Sequence, residues 1–209
     1  MEFHDDFKAA LALLPSKEKD KLLWRLIKRD ELLARRLEYE LLAPYDAIDK
    51  RNDLAERMKD RIAHANKNGW RLVEILTLCR SFSAEITRHV YVTKDKVGEV
   101  TLNFVLLQAA LGFLYQPSFR FSWDITEKYV VYMLNKLYRT CILINKLHVD
   151  YHIELEDDAQ KLGETMQANP DLMKLVKRHK FQVNWLTDFD IPDELDKHYK
   201  AVKQQGLLK

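Results

Sequence analysis

The densest set of side chains able to do chemistry is His148, Asp150, His152 and Glu154, four metal-ligating residue types on alternate positions. In an extended segment the alternation puts all four on one face; in a helix His148 and His152 stack one turn apart. Imidazole and carboxylate suit zinc, iron or manganese. Against the metal reading stands the isolation of the group, because no second compact cluster supplies the remaining ligands or the outer partners that orient them. A polar edge facing solvent explains the same residues. Glu156, Asp157 and Asp158 fit the start of the next helix, where acids favour the dipole.

Other catalytic constellations are fragmentary. Di-iron bundles use Glu-x-x-His pairs, whereas Glu85/His89 and Glu194/His198 are four residues apart, the spacing of a surface contact along a helix. His4-Asp5 resembles the dyad of the HD phosphohydrolases but has no upstream histidine. Glu154-x-x-Asp157 resembles half of the carboxylate motif of all-α nucleotide pyrophosphatases, and Asp53-x-x-Glu56 is a distant substitute for the other half. A metal-dependent hydrolase is therefore the weakest of the functional readings. The chain carries no glycine-rich phosphate loop, no G-x-S-x-G elbow and no C-x-x-C pair, so no cofactor is expected.

Charge supplies a second candidate. Between Lys17 and Arg36, eight cations face four acids, and Lys174, Lys177, Arg178, His179 and Lys180 form another basic cluster. Side by side, Arg25, Lys28, Arg29, Lys177 and Arg178 would make a basic ridge, with Trp24 and Trp185 available to stack on nucleic-acid bases. Acids interspersed among these bases fit an ordinary solvated helix face equally well.

The elements that position these groups read as helices. Of 209 residues, 47% are hydrophobic and 32% charged, while glycine and proline number only five each, too few turn residues for an ordinary sandwich or barrel. The net charge of +2 gives no global field toward nucleic acid or an anionic membrane, so any polyanion site must be local. Cys79 and Cys141 lie far apart inside apolar patterns, as buried thiols of a reducing compartment do. With an acidic N-terminus and an apolar run broken at Pro15, this predicts a cytoplasmic chain. The run 104–114 is shorter than the ~20 residues of a bilayer span, so it predicts a buried central helix and no membrane contact.

Along the chain, Phe3–Leu14 stops at Pro15, with Ser16 as cap for a helix bearing Leu22, Leu23, Leu26 and Ile27 on one face. Asp30 caps the next helix, which Pro44 ends, making a helical hairpin. A narrow-seamed helix then runs to Asn68-Gly69, and a more apolar one follows from Trp70 to about His89. His89–Leu102 has β-branched flanks about a polar Lys94-Asp95-Lys96 centre, as either a hairpin or a connection between helices would. Residues 116–122 read as a connector, and Asp124 opens a long helix. His148–Leu155 alternates polar and apolar, the period of an extended segment. Asn169-Pro170-Asp171 and Pro192-Asp193-Glu194 are helix starts. One internal echo stands out: Leu23-Trp-Arg-Leu-Ile-Lys-Arg29 and Leu172-Met-Lys-Leu-Val-Lys-Arg178 share an L-x-x-L-aliphatic-Lys-Arg form, which amphipathic helices with basic last turns also reach independently.

The sequence therefore predicts a single all-α or nearly all-α domain over 1–209, built of stacked helical hairpins, with 90–100 the one place for a short β-hairpin. Its texture resembles that of interaction proteins that stack paired helices. The expected function is that of a non-enzymatic interaction or scaffold protein binding another macromolecule, foremost a protein, with a nucleic-acid-binding accessory role as the alternative.

Overall fold

The computed structural model describes residues 2–42, 46–115 and 123–208, which form eleven α-helices, two short 3₁₀ turns and no strand among the described residues. The Pro44 stop and the 116–122 connector lie outside them. Two compact units emerge: residues 1–45 with 91–93, and the remainder.

In the first unit, α1 (Asp5–Leu13), α2 (Ser16–Ile27) and α3 (Glu31–Leu42) follow the predicted breaks. Ser16 is the first residue of α2 and Pro15 occupies its cap position, without a side-chain cap bond. Asp30 does cap α3, its Oδ1 accepting the Leu33 N–H at 3.0 Å. α2 and α3 contact each other. The unit has almost no interior: α1 and α2 bury no residue and α3 buries only Tyr39.

The second unit holds the core. α4 (Ala47–Lys67) buries a seam of Leu54, Ala55, Met58, Ile62 and Ala65 and ends at Gly69, whose φ of +68° suits glycine. α5 (Leu72–Thr93) buries Leu72, Ile75, Cys79, Phe82 and Ile86 at alternating steps of three and four residues. α6 (Lys96–Gly112) is buried nearly all round and packs against α4, against α7 (Trp123–Ile144) and against α8 (His152–Gln167). Together with its 3₁₀ extension it spans Lys96–Tyr115, 20 residues containing an 18-residue stretch of mean hydropathy 1.6, so length and composition alone would permit a membrane span. Its apolar side chains instead form the packed centre of this unit. α9 (Pro170–Arg178), α10 (Asn184–Thr187) and α11 (Leu195–Gln204) close over α7 and α8. The cap signal before α9 is realised, with Asn169 Oδ1 accepting the Asp171 and Leu172 N–H groups at 3.1 and 3.0 Å beside Pro170.

Neither segment with strand-like patterning is extended, and at 90–100 the alternative, a connection between helices, is what forms. The place reserved for a β-hairpin at 90–100 holds the end of α5, a two-residue break and the start of α6. Lys94 adopts the left-handed conformation (φ +61°), which stops α5, and Asp95 caps α6 by accepting the Gly98 N–H at 2.7 Å. The polar centre of the pattern is thus a helix stop followed by a cap, and the β-branched residues on either side lie in helices. Likewise His148–Leu155 is a 3₁₀ turn, Val149–Tyr151, running into α8, which starts at His152 rather than near Asp157. Its alternation does not record burial, since Val149, Tyr151 and Ile153 are all exposed and Leu155 is buried.

Candidate interaction surfaces

Helical winding at 100° per residue divides α2 into two arcs. Leu22, Leu26, Leu23 and Ile27 occupy one. Lys17, Lys28, Lys21 and Arg25 occupy the other, with Trp24 at the boundary. α9 repeats this arrangement, and there Leu172, Leu175 and Val176 are all buried. In α2 the two equivalent leucines are open, Leu23 54% and Leu26 50% exposed, and Ile27 is half-buried, while Trp24 at the boundary is 63% exposed. The same local pattern therefore meets a core in one unit and solvent in the other. Phe3, Phe7, Leu13, Leu41 and Leu42 add further exposed apolar side chains to the first unit.

The cations of α2 are largely unneutralised. Lys21 pairs with Glu18 at 3.0 Å, and Lys19 donates to the Ala12 carbonyl at 2.8 Å. Lys17, Arg25, Lys28 and Arg29 have no carboxylate within ion-pair distance among the described residues. At the end of α9, in the second unit, Lys177 is exposed and Arg178 reaches Glu127 of α7 at 3.0 Å. Arg178 thus serves in a structural ion pair. Trp185, the other candidate for base stacking, is 5% exposed and packs edge-on to Phe181 and Tyr138, so it presents no open face.

The four metal candidates do not converge. His148 Nδ1 lies 3.2 Å from Asp150 Oδ2 at the surface, while His152 Nε2 turns to the Ile144 carbonyl at 3.1 Å and its ring packs edge-on to Phe189. Glu154 stays exposed. No group of three His, Cys, Asp or Glu side chains among the described residues is arranged to hold a metal ion. What this segment also presents, between its ligand-type residues, is apolar: Val149, Tyr151 and Ile153 are 66, 45 and 79% exposed, with Asp150, Glu154 and Asp157 exposed in the same stretch. Between Lys146 and Lys161 the chain has no lysine or arginine to offset five acids.

The buried reactive groups are insulated. Burial pushes the thiols of Cys79 and Cys141 up to about 12, so neither is a thiolate nucleophile near neutral pH. Burial pulls the Lys136 amine of α7 down to about 8, opposed by Cys79 and by Glu99 of α6. Glu99 is itself raised by burial, with Lys136 opposing. An open depression of ≈ 370 Å³ lies over Trp185, Pro192, Leu195 and His198. Its charged and imidazole groups are engaged with one another or with backbone: His198 Nε2 faces the Lys180 carbonyl at 3.1 Å, and Glu194 pairs with Lys197.

No family model, curated protein or solved structure matches this chain.

Proposed function

We propose that this chain is a non-enzymatic binding module in which the helical second unit is the stable platform and the first unit carries the docking face, centred on α2. One observation carries the reading: the apolar arc of α2 is half-exposed, whereas the same arc in α9 is fully buried. Contiguous exposed apolar side chains flanked by charge mark binding surfaces in soluble folds, and an amphipathic helix is the form in which such surfaces commonly dock.

The test is affinity capture with the full chain and with a Leu23→Asp/Leu26→Asp variant. Both substitutions fall on exposed positions of the first unit, so the main thermal transition, which reports the core of the second unit, should match the parent. The expected result is a partner, whether a different protein or a further copy of the chain, that the parent retains and the variant loses. Identical capture by both chains would refute the assignment of α2 as the docking face.

A further inference from the structure

α2 and the start of α8 are opposite in charge, and each carries exposed apolar side chains. The first combines exposed Leu23, Trp24 and Leu26 with unneutralised Arg25, Lys28 and Arg29. The second combines exposed Val149, Tyr151 and Ile153 with Asp150, Glu154 and Asp157, in a stretch free of lysine and arginine. We propose that α2 of one copy docks on the 149–157 ridge of a second copy, and that the reciprocal contact closes a dimer. This rests on the reading of α2 as a docking face and names its occupant.

Three considerations favour a second copy over a different protein. First, α2 and the start of α8 are opposite in charge on the chain itself, Arg25, Lys28 and Arg29 against Asp150, Glu154 and Asp157, and exposed apolar side chains stand beside both sets. Second, the dimensions agree: twelve helical residues make α2 about 18 Å long, and a 3₁₀ turn followed by six helical residues makes the ridge roughly 15 Å. Third, exchange about a twofold axis uses both patches of both copies. The helix ends also agree in sign. Lys28 and Arg29 stand at the negative end of α2, and Glu154 stands in the first turn of α8 at its positive end. Bringing these ends together pairs the charges and aligns the dipoles.

The experiment is sedimentation velocity on the full chain from about 1 to about 200 µM at low and high salt. It compares the parent, Lys28→Glu/Arg29→Glu, Glu154→Lys/Asp157→Lys, and an equimolar mixture of the two variants. The parent should dimerise, less tightly at high salt. Each charge reversal should raise the dissociation constant at least about tenfold, and the mixture, in which reversed charges face each other in one of the two contacts, should recover association relative to either variant alone. If either reversal lowers the melting temperature, the neutral pairs Lys28→Gln/Arg29→Gln and Glu154→Gln/Asp157→Asn replace the reversals, with weakening in the same direction. A parent that stays monomeric throughout, reversals that leave association unchanged, or a mixture no better than its components would each overturn the second copy as occupant. A monomeric parent that still captures another protein through Leu23 and Leu26 leaves the docking role of α2 standing. Capture indifferent to those leucines removes that role as well.

Discussion

Leu26 and Leu175 occupy the same place in two nearly identical heptads, so truncating each to alanine isolates burial from local sequence. Leu175 is 2% exposed and packs in the core of the second unit. Leu175→Ala should therefore cost about 2–5 kcal/mol, the transfer of the lost carbons plus the cavity they leave. In a domain of this size that lowers the melting temperature by roughly 5–15 °C. Leu26 is 50% exposed and can leave no enclosed cavity. Complete burial of a leucine side chain is worth ~1.5–3 kcal/mol, so half-burial and partial retention by alanine leave a cost of about 1 kcal/mol or less. Alanine's helix propensity offsets part of that. Thermal and urea denaturation followed by circular dichroism, with tryptophan fluorescence as a second probe, would measure both. Low micromolar protein is needed, because association would bury Leu26 and inflate its apparent cost. A Leu26→Ala cost above ~2 kcal/mol in the dissociated chain would show that the arc is covered within one molecule, and the docking argument would fail with it.

Two further substitutions probe the second unit. At Gly163, where α8 passes α10, an added Cβ would sit 2.7 Å from Thr187 Cγ2 and 3.2 Å from Leu186 Cβ; Gly163→Ala should destabilise by about 1–2 kcal/mol after its gain in helix propensity, and Thr187→Ser, which removes that methyl, should relieve part of the loss in the double variant, a relief whose absence would contradict the packing. Burial lowers the Lys136 amine from its ordinary 10.5 to about 8, so between those values the unfolded chain binds more protons than the folded one and stability rises with pH, the full penalty applying below pH 8. Lys136→Met should raise the melting temperature at pH 7 and flatten that rise, and a parent and variant with parallel pH profiles would refute the assignment.

The helical class, the Asp30 and Asn169 caps and the central α6 were legible because each depends on local rules: periodicity, cap chemistry and an uncharged run. Burial of the look-alike heptads was not. Leu23-Trp24-Arg25-Leu26 and Leu172-Met173-Lys174-Leu175 carry the same information about helix formation, and which of them meets a core depends on neighbours remote in sequence. The 90–100 segment was ambiguous for a related reason. β-branched residues favour strands when half-buried on a sheet, but in α5 and α6 packing outweighs that preference and leaves Lys94 and Asp95 to make the break. At His148–Leu155 the residue types drew attention to imidazole and carboxylate, while the informative side chains were the apolar ones between them, whose exposure only the fold reveals.

The proposal that the first unit docks also accords with what each unit can support unaided. α1, α2 and α3 are 9, 12 and 12 residues long, and helices shorter than ~12–15 residues are marginal in water without tertiary contacts. Ordering the backbone costs about 1–2 kcal/mol per residue, and these three helices bury one side chain, Tyr39, toward repaying it. The second unit meets the same cost with a continuous core from Leu54 to Leu208. If the first unit docks through α2, covering the apolar arc adds the burial these helices lack, and docking there is coupled to helix stability. Binding that orders a segment spends part of its energy on that ordering, so affinity should be modest for the number of residues engaged and sensitive to single changes in the arc. In a dimer built by reciprocal α2 contacts, helix content should then rise with protein concentration in parallel with association, and the charge-reversed monomers should be less helical by an amount confined to the first unit.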